Sequence, residues 1–228
     1  MISKNCKVKI VLIVALLVAV TFFIAAVVFL ASVSPPKDEV GALSYPSEFF
    51  CESVANRIDY QTDGKCAAYA AAYLFRHFGE ERDGEELFSE LKRPFGFASV
   101  NSITDVFEHH GYRAKAYHGS VDTLKQRLTE GDPIIVFLRI PKDTHYAVVV
   151  GYDDRYVYLA DSLAEYANVS GAQYNRVLTT EDFDAAWKTG TLLPDNIYIV
   201  VKAARRTADI GGAIGGSCTQ LSERGSER

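Results

Sequence analysis

Three textures follow one another along the chain. From Ile10 to Ala31 apolar residues run unbroken except at Thr21, and about 20 such residues in a helix cross the hydrocarbon core of a bilayer. From Cys66 to His110 the apolar positions recur at helical spacing. Beyond Gly111 they shorten into strand-like runs. The middle region predicts helices over 66–78, 84–92 and 99–110, closed by Gly79, Pro94 and Gly111. A small helix is expected over 47–57. The last region predicts strands at 112–119, 133–140, 145–152, 155–162, 174–180 and 196–201, with helices at 121–131 and 180–188. Helices first and an antiparallel sheet second make an α+β domain with segregated layers.

Charge fixes the expected orientation of the apolar run. Lys4, Lys7 and Lys9 precede it, and no acidic residue does. Residues 1–9 are therefore expected in the cytoplasm, 10–32 as a transmembrane signal anchor, and the remainder outside the cell. A cleaved signal peptide is the competing reading, but its apolar region would be shorter, about 7–15 residues. Residues 33–46 read as a tether, 47–203 as one folded domain, and 204–228, with Gly211-Gly212 and Gly215-Gly216, as a disordered tail. Three of the 24 basic side chains lie before the anchor and all 29 acidic ones lie beyond it, so the chain after the anchor carries about −8. That balance argues against a nucleic-acid partner.

Four cysteines are too few for a disulfide scaffold. Cys6 falls on the cytoplasmic side, and Cys51 with Cys218 is a candidate bridge. Cys66 stands apart because it opens an alanine-rich helix, where free backbone N–H groups and the helix dipole stabilise a thiolate. A nucleophilic thiol needs a histidine base, and the base needs an orienting group. His145 and Asp161 occupy the two strands of one hairpin. A regular two-residue turn at Asp153-Asp154 would put them on opposite faces. A three-residue loop would set them directly across from one another, so the pair requires an odd-length loop or a bulge. His145, Ala147, Val149 and Gly151 would then form a small face on which the Cys66 helix packs. Gln61, just before that helix, can offer a side-chain amide to a developing oxyanion. His77, His109, His110 and His118 form no metal-binding pair on one helix face, and neither a metal nor a cofactor is expected.

The order Gln61, Cys66, His145, Asp161 resembles the papain-like cysteine peptidases. The 79 residues from Cys66 to His145, the 16 from His145 to Asp161, and the stretches "LTEGDPIIVFL" and "HYAVVVGYDDRYVYLADS" resemble cysteine peptidase family thirty-nine in particular, the bacteriocin-processing peptidases that cut after double glycine. The likeness spans about 56–202. It implies a papain-like fold in which Cys66 is the nucleophile, His145 the general acid/base, Asp161 its orienter and Gln61 the oxyanion donor. The implied activity is peptide-bond hydrolysis through an acyl-enzyme, on a peptide or protein substrate. Gln61 and Cys66 are one residue closer than is usual in the family, which calls for a tight loop over 62–65. Family members are often domains of ABC exporters. No transporter part is evident in this chain, which is expected as a stand-alone peptidase on the outer face of the cell membrane. Two other readings remain open: a catalytically silent relative that binds peptides or proteins, and an acyl transferase or amidase acting on a cell-envelope component.

Overall fold

The computed structural model describes residues 12–25, 34–51, 56–62, 64–91, 96–141, 143–171 and 173–203. The chain falls into two units, 1–34 and 35–228. In the first, 12–25 is helical with its apolar side chains exposed, and Thr21 Oγ1 donates to the Leu17 carbonyl within the helix. Among the described residues no helix is long and apolar enough to cross a membrane. The ends of the expected anchor, 10–11 and 26–32, lie outside the described residues, as do Cys6, Cys218 and the tail 204–228.

The second unit is built on one antiparallel sheet. In chain order its elements are β1 (Phe49–Phe50), α1 (Cys66–His77), α2 (Gly84–Glu90), α3 (Val100–His109), β2 (Tyr112–His118), α4 (Val121–Leu128), β3 (Ile134–Ile140), β4 (Asp143–Tyr152), β5 (Tyr156–Ala160), β6 (Arg176–Thr179), α5 (Thr180–Trp187) and β7 (Ile197–Ala203). The strands lie in the order β2-β7-β3-β4-β5-β6, with β1 paired to β4. Helix starts follow local chemistry. Ser99 and Ser120 close capping boxes with Ser102 and Thr123, and Asp83 and Thr179 cap α2 and α5. Gly79 and Gly111, both at positive φ, end α1 and α3.

The two faces of the sheet are filled in opposite ways. Ala67, Ala68, Ala70, Ala71 and Ala72 of α1 lie over Ile135, Tyr146, Val148, Val150, Ile197 and Ile199. On the other face, Leu124 and Leu128 of α4 and Phe183 and Trp187 of α5 cover Ala147, Val149, Val157 and Leu159. Small helix residues meet large strand residues on the α1 side, whereas on the other side large helix side chains meet strand residues of every size, from Ala147 to Tyr152 and Tyr198. This corrects two expectations. The Cys66 helix packs on the Tyr146 face rather than the small Ala147 face, because its own alanines already supply the room. The layers are also not fully segregated, since α4 and α5 cover the second face.

Where a helix was expected over 47–57, Phe49–Phe50 form β1 instead, and 52–55 lie outside the described residues. Phe49 joins the α4/α5 core and Phe50 the α1 core, the alternation of a strand rather than a helix. It lies against Gly151, where a Cβ would stand 2.3 Å from the Phe50 ring and 2.9 Å from the Phe49 carbonyl. The expected tether is also corrected from Pro35 onward, because that segment is docked. His118 N donates to Pro36 O (3.0 Å) and Asp38 N to His118 O (2.9 Å). Asp38 is buried and takes both Arg127 Nε and Nη2 at 2.8 and 2.7 Å, together with the Tyr198 hydroxyl.

Arg127 is 22% exposed and keeps Glu130 as a partner, so loss of Asp38 removes charged hydrogen bonds without stranding the guanidinium. Asp38→Ala should therefore lower the unfolding free energy by about 1.5–3 kcal/mol in urea denaturation. A change under about 0.5 kcal/mol, the size of an ordinary surface substitution, would show that the segment is only laid on the surface.

Candidate active site

Cys66 is the first residue of α1 and is partly exposed. No side chain caps that terminus and no acidic residue lies in its first turn. The opening amides of the helix are therefore left for an anion at or near the sulfur.

His145 reaches Asp161 because β4 carries a bulge. Tyr152 pairs with Val157 and Gly151 with Tyr158, whereas Val149 pairs with Leu159 and Val148 with Ala160, so the register shifts by one residue at Val150. Continued, the shifted register sets Ala147 across from Asp161. His145 lies two positions along on the same face, a diagonal neighbour rather than the direct partner expected from a three-residue loop. A bulge, one of the two devices the pair required, is thus what the hairpin contains.

The bond that results is short. His145 Nε2 and Asp161 Oδ1 are 2.7 Å apart, and the two side chains are 1% and 0% exposed. The other ring nitrogen, Nδ1, is left free of Asp161, and Cys66 lies near enough to act on the imidazole. Burial alone would push the imidazole down. Asp161 and then Cys66 outweigh it and carry His145 up to about 9. Burial likewise opposes the Asp161 carboxylate, but bonds from His145, from Leu163 N and from Arg176 hold it below the usual range.

Asp161 is held from all sides. Its Oδ1 also accepts from Leu163 N at 2.9 Å and its Oδ2 from Arg176 Nη1 at 2.8 Å. The Asn175 side chain binds its backbone twice, accepting from Asp161 N and donating to Asp161 O, each at 2.8 Å. Gln61 is tied to the next residue, its N donating to Ser162 O at 2.9 Å. Its side-chain Oε1 is buried without a hydrogen-bond partner, and its Nε2 donates to no group among the described residues.

The loop between Gln61 and Cys66 is latched from both ends. Upstream, buried Arg76 of α1 donates to Asn56 Oδ1, Arg57 O and Arg82 O at 3.2, 3.0 and 2.8 Å. Downstream, Glu85 of α2 accepts from Thr62 Oγ1, Lys65 Nζ and Tyr69 OH. The sequence suggested Cys66, His145, Asp161 and Gln61; the structure sets Arg76, Asn175 and Arg176 around them, and these the sequence did not point to. The signal for the last two was the polar pair at the head of "NRVLTT", beside an acid strand. Of the remaining histidines, His77 meets Asp132, His110 meets Arg82 and Glu90, and His118 holds the docked N-terminal segment.

The model of the peptidase C39 family matches residues 56–196. The chain belongs to the peptidase C39 family. It is accordingly a cysteine peptidase. Solved structures of similar fold include the peptidase domain of Streptococcus ComA, a bi-functional ABC transporter of a quorum-sensing pathway (17% identity, TM-score 0.54, covering 65% of this chain and 98% of that one). A double glycine motif protease from an AMS/PCAT transporter, solved with its leader peptide, matches at 17% identity and TM-score 0.52 over 69% and 99% of the two chains. Xylellain, a cysteine protease from Xylella fastidiosa, matches at 15% and 0.51 over 75% and 92%. At these identities the likeness speaks to the fold, which is papain-like α+β. No curated protein matches the chain.

The raised His145 fixes a pH dependence. A group whose folded value lies above its unfolded one, about 6.5, contributes stability below that value and loses it as pH rises through about 9. In Asp161→Asn the main upward influence is gone, so the imidazole resonance, followed by NMR against pH, should titrate more than about one unit lower. A midpoint unmoved from about 9 would separate Asp161 from the control of His145.

Proposed function

We propose that the chain hydrolyses peptide bonds with Cys66 as nucleophile, His145 as general acid/base, Asp161 as the group that orients it, and Gln61 as oxyanion donor. The observation that carries the reading is the buried Asp161–His145 pair, with the Cys66 thiol acting on the same imidazole from an uncapped helix N-terminus. Proton transfer from Cys66 to His145 yields a thiolate and an imidazolium. The thiolate attacks the carbonyl carbon, and the helix amides with the Gln61 amide receive the charge that develops on oxygen. His145 gives its proton to the departing amine, and water then resolves the thioester.

Membership of the C39 family and the leader-peptide complex of one neighbour favour a peptide substrate, so peptides bearing a double glycine are the first to try. We further propose that residues 10–32 anchor the enzyme in the cell membrane with the peptidase domain outside. The apolar run and the lysines before it support this reading.

In assays of the full chain in detergent, Cys66→Ala should abolish cleavage. Gln61→Ala should lower kcat roughly 10²–10³-fold with KM little changed, while alkylation of Cys66 by iodoacetamide stays as fast as in the wild type. Rapid, His145-dependent alkylation without cleavage of any peptide would instead favour acyl transfer or amide hydrolysis on another substrate. Alkylation no faster than that of an ordinary thiol would favour a peptide-binding relative. For the location, a membrane-impermeant maleimide should label intact cells carrying the wild type more than cells carrying Cys66→Ser. Equal labelling would place the domain inside.

A further inference from the structure

A buried imidazole and a guanidinium meet at one buried carboxylate. Asp161 is fully enclosed; His145 binds its Oδ1 and Arg176 its Oδ2. Arg176 is itself largely buried, with its guanidinium carbon 4.8 Å from the centre of the Tyr166 ring. It belongs to β6, and its pairing with Leu159 sets it two places from Asp161 along the neighbouring strand. An orienting carboxylate needs one bond to the imidazole. This one has a second, permanently charged partner on the oxygen that faces away from the ring.

The two half-reactions make opposite demands on His145. In the first, the Cys66 thiolate attacks, the C–N bond breaks, and the imidazolium Nδ1–H passes to the leaving amine. In the second, the now neutral Nδ1 takes a proton from water as its oxygen attacks the thioester carbonyl. The C–S bond breaks, and thiolate and imidazolium are restored. An enclosed carboxylate with no other cation beside it would hold the imidazolium so firmly that the neutral ring of the second step would be scarce. The groups acting on the ring are Asp161 at the end of β5, Cys66 of α1, and Arg176 of β6 through Asp161. Tyr146, the next residue in β4, is a neutral phenol beside Cys66.

We infer that Arg176 is a positioning residue that shares the Asp161 carboxylate with His145, so that the imidazole is released to its neutral form for deacylation. This inference rests on the Cys66–His145–Asp161 reading above. Charge is the essential property, since a guanidinium is a fixed cation while the imidazole cycles.

Stopped-flow reaction of the full chain with p-nitrophenyl acetate separates the two steps. The acetyl group passes to Cys66 in a burst of p-nitrophenolate, and hydrolysis of the acetyl-enzyme sets the steady rate. Arg176→Gln and Arg176→Met, neutral replacements of different shape, should keep the burst rate within about threefold. The acid limb of their steady rate should move up by about one pH unit, roughly a tenfold loss below the limb that is recovered at higher pH. Arg176→Lys should keep the limb at the wild-type position. Loss of packing alone would not be rescued by raising the pH. A limb that stays in place in the neutral variants, or that shifts equally in Arg176→Lys, overturns the inference while leaving the triad intact. A wild-type chain with no burst beyond that of Cys66→Ser overturns the triad reading itself, and the role of Arg176 with it.

Discussion

A carboxylate with none of its side chain exposed stays ionised only where enough donors replace the water it has lost. Asp161 meets that demand with an imidazole, a backbone amide and a guanidinium, while Asn175 holds its backbone. Much of the site is arranged around this requirement. The amide of Leu163 points at Oδ1 because the chain turns directly after β5. Gln61 hangs from Ser162, the next residue, so the loop before Cys66 is indexed to Asp161. Arg176 can reach Oδ2 because β6 pairs with β5 in one particular register.

Register is therefore the second constraint, and the bulge at Val150 sets it. Side chains alternate across a strand, and a slip of one residue would send His145 to the wrong side of Asp161. Near the turn the hairpin runs in one register, and past Val150 it runs in another. Gly151, beside the bulge, has no side chain, and β1 closes over it. Val150 itself joins the α1 core, so the irregularity is held by packing on one side and by the β1 pairing next to it.

What the sequence could reveal follows from how far each interaction reaches. The alanine stripe of α1, the capping serines Ser99 and Ser120 and the closing glycines are local, and the elements they mark were legible within three residues. The Cys66, His145 and Asp161 set was legible because spacing and order carry it. The choice of face for α1 was not, because it depends on the volumes offered by α4 and α5 from elsewhere in the chain. The docking of Asp38 against Arg127 and Tyr198 spans 89 and 160 residues, and nothing near Asp38 announces it. Phe49 and Phe50 read as helix because two aromatic residues have no period; only the partner strand makes them a strand.

The segment carrying Gln61 shows how unequal ties divide a loop into fixed and yielding parts. Upstream, Arg76 has a side chain 2% exposed and holds two backbone carbonyls and Asn56, so releasing it would strand a buried guanidinium. At Gln61 itself the tie is a single backbone bond to Ser162. Downstream, Lys65 and Glu85 are 21% and 48% exposed, and such surface pairs contribute roughly 0–1 kcal/mol. The stiffness of the loop thus falls toward Cys66. A shorter span between Gln61 and Cys66 needs fewer ties to hold it, and the weak latch at Glu85 suffices because the helix start and the Ser162 bond already fix both ends. Thr62 and Lys65 are thus tied to the rest of the site by exposed bonds that cost little to break.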